Sequence, residues 1–160
     1  MIGLHLIKGT GVLYARCLPP FAMNDIADLS RRLASGGMAG ASLESPAIFD
    51  ARAVSFADVE TDDIRAYIKQ RRLMAGRKSI GPLAMVAGDQ GSFGMLRMMG
   101  IVAEIAGIRD EDRTIVTLDM DEAAGWVAAR LPPGGPCGAA LARGIAALAP
   151  APRQGTAGPA

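Results

Sequence analysis

Carboxylates that could exchange protons with a substrate follow two apolar runs of the sequence. Asp50 ends the run at residues 47–49, Arg52 and Asp58 come soon after it, and Asp89 lies in a glycine-rich turn. A partly buried aspartate beside a substrate can act as a general base, so Asp50 and Asp89 are the acid-base candidates. A strand-end aspartate more often accepts hydrogen bonds from its own turn. We favour this interpretation for Asp50, with Arg52 facing solvent.

The glycine-rich turn at residues 88–92 leads into a candidate helix N-terminus, where free backbone N–H groups can hold an anion. Its spacing matches neither the phosphate-binding loop with a Lys-Ser/Thr pair nor the dinucleotide-binding GxGxxG pattern, so a structural turn is favoured. The candidate residues for binding a ligand or a partner are Asp50, Arg52, Asp89, Ser92, Phe93, Gly94 and Arg97.

The sequence shows no pattern typical of a nucleophile, a metal site or a cofactor loop. His5 is the only histidine, and no serine, cysteine or acid stands at a recognisable spacing from it. Cys17 and Cys137 have no CxxC or Cys/His companions, which argues against a zinc site and a disulfide framework. We therefore expect a protein that is not an enzyme and holds no metal and no cofactor, with catalysis through Asp50 or Asp89 as the lesser alternative.

The composition indicates one globular domain with a weak overall charge. The chain has 160 residues, of which 50% are hydrophobic and 4% aromatic, so aliphatic side chains and methionines must form the core. Seventeen basic and sixteen acidic residues leave a net charge of +1, which disfavours nucleic acid and anionic membranes as partners. No secretory signal and no apolar run of about 18 residues is present, so we expect a cytoplasmic protein without a membrane span.

The elements that would position the candidate residues follow an α/β pattern. Residues 2–7 and 12–18 are apolar runs separated by a glycine-containing spacer, which predicts a hairpin. Asn24 is the expected N-cap of the first helix, and three strand-helix units follow. Such alternation implies right-handed parallel crossovers. We predict an α/β domain with a mixed sheet of about five strands, an N-terminal antiparallel hairpin and about four covering helices.

The later elements are bounded by local signals. Thr61, followed by two acids, predicts the start of the second helix, and Asp119 with Glu122 has the spacing of a capping box at the start of the fourth. The three later strands, all of the buried central type, are predicted at residues 47–50, 82–87 and 114–118.

Two charged segments are predicted to be solvated. The basic run at residues 69–78 is typical of the exposed C-terminal half of the second helix, where cations complement the helix dipole. Residues 109–113 mix both signs of charge and indicate an exposed connection.

Residues 132–160 are rich in Pro, Gly and Ala and form a tail on the domain of residues 1–131. Leu141, Ile145 and Leu148 have the spacing of one helical stripe, which predicts a short helix at residues 137–148. The stripe is equally compatible with packing on the domain and with docking on another chain.

The order of hairpin, helix and three strand-helix units over residues 1–131 resembles that of STAS-like domains, the α/β fold of bacterial anti-sigma-factor antagonists. The likeness to their small uncharacterised relatives is carried by Asp50, by the string Ser-Phe-Gly-Met-Leu-Arg-Met at residues 92–98 and by the helix at residues 119–126. In phosphorylated members a serine that opens the second helix accepts phosphate. Here that serine motif is absent, and Thr61 stands at the related position between acids that would repel a phosphoryl group.

From this resemblance and the lack of catalytic motifs, we expect a non-enzymatic binding or regulatory module that acts through contacts with a protein partner or with itself. The contact region would be the face of the second and third helices with the loop at residues 92–97. The alternative is a protein that binds an apolar or anionic metabolite, because STAS-like folds resemble lipid-transfer domains and Met95, Met98 and Met99 can line a pocket. A filled core without a cavity would exclude that alternative.

Overall fold

A computed structural model of the chain describes residues 1–56, 59–75 and 81–148. Within these ranges five strands and five α-helices follow one another, and a short 3-10 turn, Glu111–Arg113, leads into the last strand. In chain order the elements are β1 (Ile2–Leu6), β2 (Leu13–Cys17), α1 (Met23–Ala34), β3 (Ala47–Asp50), α2 (Thr61–Ala75), β4 (Leu83–Val86), α3 (Gln90–Ile105), β5 (Thr114–Thr117), α4 (Met120–Ala128) and α5 (Gly138–Leu148).

The strands form one mixed sheet in the order β1-β2-β3-β4-β5. β1 pairs antiparallel with β2, with Ile2 opposite Cys17, whereas β2 to β5 run parallel to one another. The predicted α/β class, the mixed five-stranded sheet and the N-terminal hairpin are therefore confirmed. Because each crossover moves one strand along the sheet in the same direction, α1, α2 and α3 cover one face, and α4 and α5 cover the other.

The alternation of side chains along each strand divides the core into two layers. Phe49 and Met85 point to the face covered by α1, α2 and α3, which we call the first face, and pack with Leu96 of α3. Ile48 points to the second face, where it packs with Val127 of α4. Consecutive residues of one strand thus contribute to different layers, so a polar residue at a strand end joins only one of them.

The start of α1 differs from the prediction. Asn24 is not the N-cap, since α1 begins at Met23 and Ala22 occupies the cap position. The neighbouring Asp25 takes the capping role, because its carboxylate accepts from the Ala22 N–H at 2.9 Å and from the N-terminal ammonium of Met1 at 2.7 Å. A carboxylate with two such donors binds more strongly than a neutral amide would.

The last strand, β5, lies at the edge of the sheet and is not central as predicted. Its final residue, Thr117, is buried, and the Thr117 hydroxyl donates to the Glu122 carboxylate of α4. Asp119 does cap α4, since it accepts from the Glu122 N–H at 3.2 Å. The predicted capping box is nevertheless incomplete, because the Glu122 carboxylate accepts a hydrogen bond from Thr117 and none from the backbone N–H of Asp119.

Helix α5 packs against α4 and covers the second face of the sheet. Leu141 and Ile145 are buried there, and Leu148 is half-buried, so the predicted helical stripe packs on its own chain. A Cβ atom at Gly138 would lie 2.7 Å from the Cα atom of Gly125, so the two helices meet almost backbone to backbone. Across the described ranges, none of the helices has both the length and the apolar character needed to cross a membrane.

Candidate functional site

Asp50 ends β3 on the second face, and its carboxylate accepts hydrogen bonds from two side chains. Tyr14 Oη donates to Oδ2 at 2.6 Å, and Arg52 Nη2 donates to the same oxygen at 2.9 Å. The Arg52 Nε and backbone N–H groups donate to Oδ1 at 2.9 and 3.1 Å. The structure therefore brings Asp50 and Arg52 together and adds Tyr14, which the sequence did not indicate. Asp58, the third predicted member of this cluster, lies outside the described residues.

The surroundings of Asp50 favour its charged form. Burial tends to raise the pKa of this carboxyl, but hydrogen bonds from Arg52 and Tyr14 outweigh burial and hold the pKa below its usual range. Burial and the bond to Asp50 together raise the pKa of the Tyr14 hydroxyl well above its usual range. A carboxylate that is 2% exposed and accepts hydrogen bonds at both oxygens is a weak proton acceptor. The main role of this cluster is therefore to hold the chain in place where β3 ends.

Asp89 and Ser92 form the start of α3. Asp89 Oδ1 accepts from the Ser92 N–H at 2.8 Å, and Asp89 Oδ2 accepts from the Ser92 hydroxyl at 2.9 Å. Ser92 Oγ is buried and accepts from the Phe56 N–H at 3.0 Å. The hydrogen bonds from Ser92 hold the pKa of Asp89 below its usual range. The Asp89 carboxylate therefore occupies the helix N-terminus where, from the sequence, an anion could bind.

The other predicted site residues lie on the outside of α3 and α2. Phe93 is half-buried, and Gly94 and Arg97 are exposed. The segment at residues 92–97 is helical and not a loop, because α3 has already begun before it. Thr61 is the exposed first residue of α2, and two acids follow it.

A cavity lies on the first face, near the amino ends of the parallel strands, where no site is predicted from the sequence. It consists of two adjoining spaces, one of about 90 Å³ that Arg71 lines and one of about 70 Å³ that Thr114 lines. We call them the Arg71 chamber and the Thr114 chamber. Their shared walls are Ile26, Phe49, Tyr67, Leu83 and Arg109. Both spaces lie between α1, α2, α3 and the sheet and are partly open to the surface.

Arg71 lies on the buried side of α2. Only 3% of the residue is exposed, and its Nη1 atom has no hydrogen-bond acceptor among the described residues. None of the ion pairs between described residues includes Arg71. The Nη1 atom has lost contact with water and gained no hydrogen-bond acceptor among the described residues, which is costly for the folded state.

A second arginine, Arg109, lines both chambers. Its Nη1 atom donates to the carbonyl oxygen of Gly81 at 2.9 Å, and no ion pair between described residues includes it. Burial lowers the pKa of Arg109 to about 10; Tyr67 opposes that shift, and the positive charges of Arg71 and Arg113 add to it. Arg109 stays protonated at neutral pH, so two guanidinium groups border one cavity.

Thr114 supplies another polar atom without a partner. Its Oγ1 atom is buried, and it belongs to the wall of the chamber named after it. Over the described part of the chain, Arg71 Nη1 and Thr114 Oγ1 are the buried side-chain nitrogen and oxygen atoms that lack a hydrogen bond. Native proteins pair nearly all such atoms, so both atoms need a partner that the described residues do not supply.

The prediction that Arg71 is solvated is wrong, whereas Arg109, which was predicted to lie in an exposed connection, is half-buried. Ile64 and Ile68 form the buried stripe of α2, and Arg71 follows three residues later on the same side of the helix. Helical spacing could therefore have placed Arg71 in the core. For Arg109 the sequence carried no such signal, because it lies between α3 and β5, where no periodicity applies.

Comparisons of the chain with protein-family models, with curated proteins and with solved structures each gave no match. The STAS-like resemblance therefore stays a prediction. In the ranges that the structure describes, no group of three or more His, Cys, Asp or Glu side chains is arranged to hold a metal ion. The chemistry of the cavity is consequently the main guide to function.

Proposed function

We propose that the protein binds a small organic anion in the cavity between α1, α2, α3 and the sheet. The observation that carries the proposal is buried Arg71, which lines the cavity and whose Nη1 atom has no hydrogen-bond partner among the described residues. Arg109 adds a second positive charge to the same walls. A carboxylate accepts two parallel hydrogen bonds from a guanidinium and would give Arg71 its missing partner.

The remaining walls indicate what the rest of the ligand is. Leu29 and Leu33 line the Arg71 chamber, and Leu96 and Met99 line the Thr114 chamber. Burial of apolar ligand surface against such walls stabilises a complex by about 25 cal/mol per Å². A carboxylate with a short carbon chain uses both the charged and the apolar walls, whereas a strongly hydrated inorganic anion uses only the charged ones.

Isothermal titration calorimetry with a series of monocarboxylates tests the proposal. We expect hexanoate to bind more tightly than acetate, and acetate more tightly than inorganic phosphate. The Arg71→Gln variant should bind hexanoate roughly 10- to 100-fold more weakly, the usual effect of losing a hydrogen bond to a charged group.

The matched control is Arg72→Gln, a change of the same type at the adjacent, exposed position of α2. It should leave hexanoate binding unchanged. The proposal is wrong if no carboxylate binds to the wild type, or if the Arg71→Gln and Arg72→Gln variants bind equally well.

Contact with a second copy of the chain is the second candidate function. Leu73 of α2 is 82% exposed, and Ile101 and Ile105 of α3, one helical turn apart, are 48% and 81% exposed. Large apolar side chains exposed side by side are typical of interaction surfaces. Sedimentation velocity over a concentration series tests this: we expect a wild-type dimer that the double variant Ile101→Ser, Ile105→Ser does not form. A wild type that is monomeric at every concentration would contradict it.

A further inference from the structure

We infer that the ligand is a short hydroxy- or oxo-carboxylate, whose hydroxyl or carbonyl group lies at the end of the carbon chain away from the acid. The inference rests on the proposed anion binding and specifies its chemical class. Its basis is Thr114, which lines the chamber that Arg71 does not line and whose buried Oγ1 atom has no hydrogen bond among the described residues. Two residues that each have an unpaired buried polar atom, Arg71 and Thr114, therefore line adjoining chambers.

The two unpaired atoms differ in what they can bind. The guanidinium of Arg71 donates hydrogen bonds and accepts none, so it selects an anionic acceptor. The hydroxyl of Thr114 can donate and accept, so it suits a neutral hydroxyl or carbonyl. Apart from Tyr67, Arg109 and Thr114, the walls of the Thr114 chamber offer no polar side chain: they are Ile26, Phe49, Leu83, Met85, Leu96, Met99, Gly100 and Ala103. A purely aliphatic ligand would leave the Thr114 hydroxyl unpaired.

Gly100 of α3 leaves room beside Thr114. A Cβ atom at position 100 would lie 3.9 Å from Thr114 Cγ2 and 3.9 Å from Met85 Cε, so a longer side chain would extend into the chamber. On the outside, a surface groove of about 440 Å³ includes Gly100, Arg109 and Thr114 in its wall. The same three residues thus line both the groove and the chamber.

The size of the cavity limits the length of the ligand. A space of about 90 Å³ accommodates on the order of six water molecules. With the adjoining space of about 70 Å³, the cavity has room for a carbon chain of about six atoms. Hexanoate and its derivatives with a terminal hydroxyl or a penultimate carbonyl are therefore suitable probes.

Calorimetric titration with these three compounds tests the inference. We expect the wild type to bind the hydroxyl or the carbonyl derivative about tenfold more tightly than hexanoate, the gain of one additional buried hydrogen bond. Thr114→Val removes the hydroxyl and keeps the branched shape, so it should lose this preference and bind hexanoate as the wild type does. Thr114→Ser keeps the hydroxyl and should keep the preference.

The outcomes separate the inference from the proposed function. Equal wild-type affinity for hexanoate and both derivatives overturns the inference and leaves anion binding in place. A preference that persists in Thr114→Val also overturns it, because another group would then recognise the polar end. If no carboxylate binds, the inference and the proposed function are both wrong. Should Thr114→Val fail to fold, Thr114→Ala removes the same hydroxyl and carries the same expectation.

Discussion

The Tyr14 hydroxyl donates a 2.6 Å hydrogen bond to Asp50 across the β2–β3 pair, on the second face of the sheet. In the strand register Tyr14 lies opposite Ile48, two residues before Asp50, so its side chain reaches along the sheet to the strand end. Both partners are 2% exposed. The bond connects the end of β3 to the start of β2 and helps to hold the carboxylate to which Arg52 binds.

Tyr14→Phe should lower the free energy of unfolding by about 1–3 kcal/mol, because a buried carboxylate loses one of its donors. Urea unfolding at neutral pH measures the change. In an Asp50→Asn background the same substitution should cost less, since the charged acceptor is gone. Equal costs in the two backgrounds would mean that Tyr14 contributes through packing and not through its bond to Asp50.

Asp50 should make the protein lose stability in acid. Its pKa is lower in the folded state than the usual value of about 3.9, so the folded state binds fewer protons in that range. Its stabilising contribution is complete above about pH 4 and is lost as the pH falls through the folded pKa. Asp50→Asn should be less stable than the wild type at neutral pH and should lose less stability on acidification.

Urea midpoints measured from neutral pH into acid test this expectation for Asp50. Asp25 and Asp89 also have lowered pKa values and contribute to the acid loss, so the difference between wild type and variant is the quantity that isolates Asp50. If the two acid profiles run parallel, the carboxylate of Asp50 is not responsible for the loss.

The close crossing of α4 and α5 predicts opposite effects at two glycines. A Cβ atom at Gly138 would lie 2.7 Å from Gly125 Cα, whereas a Cβ atom at Gly125 meets nothing within 4 Å. Gly138→Ala should therefore destabilise the protein by about 1–3 kcal/mol as the helices are forced apart. Gly125→Ala should be neutral or stabilising, by up to about 1 kcal/mol, because alanine favours a helix interior. Thermal unfolding of both variants measures these two changes in stability. If Gly138→Ala and Gly125→Ala change stability equally, the close contact between α4 and α5 at Gly138 is wrong.

The elements of the sheet could be predicted because local patterns define most of them. The apolar run of β4 and the acid-rich start of α2 depend only on residues close in sequence, and both occur where expected. The position of β5 could not be predicted in this way. A short apolar run has the same pattern in the centre and at the edge of a sheet, and strand order depends on how distant helices pack.

The candidate sites depend more strongly on contacts that are distant in sequence. Asp50 and Arg52 are neighbours, so their pairing follows from the local turn, whereas Tyr14 joins them only through the β2–β3 register. Arg71 and Thr114 come from α2 and β5, and no short-range pattern relates them. The one available signal was a chemical conflict, an arginine on the apolar stripe of a helix. Such conflicts between pattern and chemistry often mark functional positions.

A buried charge without a partner among the described residues destabilises the ligand-free protein, so its removal should raise stability. We expect Arg71→Met to increase the free energy of unfolding by about 1–3 kcal/mol, because the flexible thioether fills similar space without a charge to desolvate. For a chain of this length the unfolding temperature should rise by about 2–4 °C per kcal/mol. The same variant should lose hexanoate binding, so added hexanoate should stabilise the wild type and not Arg71→Met.

Differential scanning calorimetry with and without hexanoate measures both effects of Arg71→Met, and Arg72→Met, at the exposed neighbouring position, is the control that should change neither. We expect Arg71→Met to be more stable than the wild type and unable to bind hexanoate, because Arg71 serves ligand binding and destabilises the fold. A less stable Arg71→Met would show the opposite, that the aliphatic stem of Arg71 supports the core through packing. In that case the unpaired Nη1 atom would follow from packing, and the case for an anion site would fail.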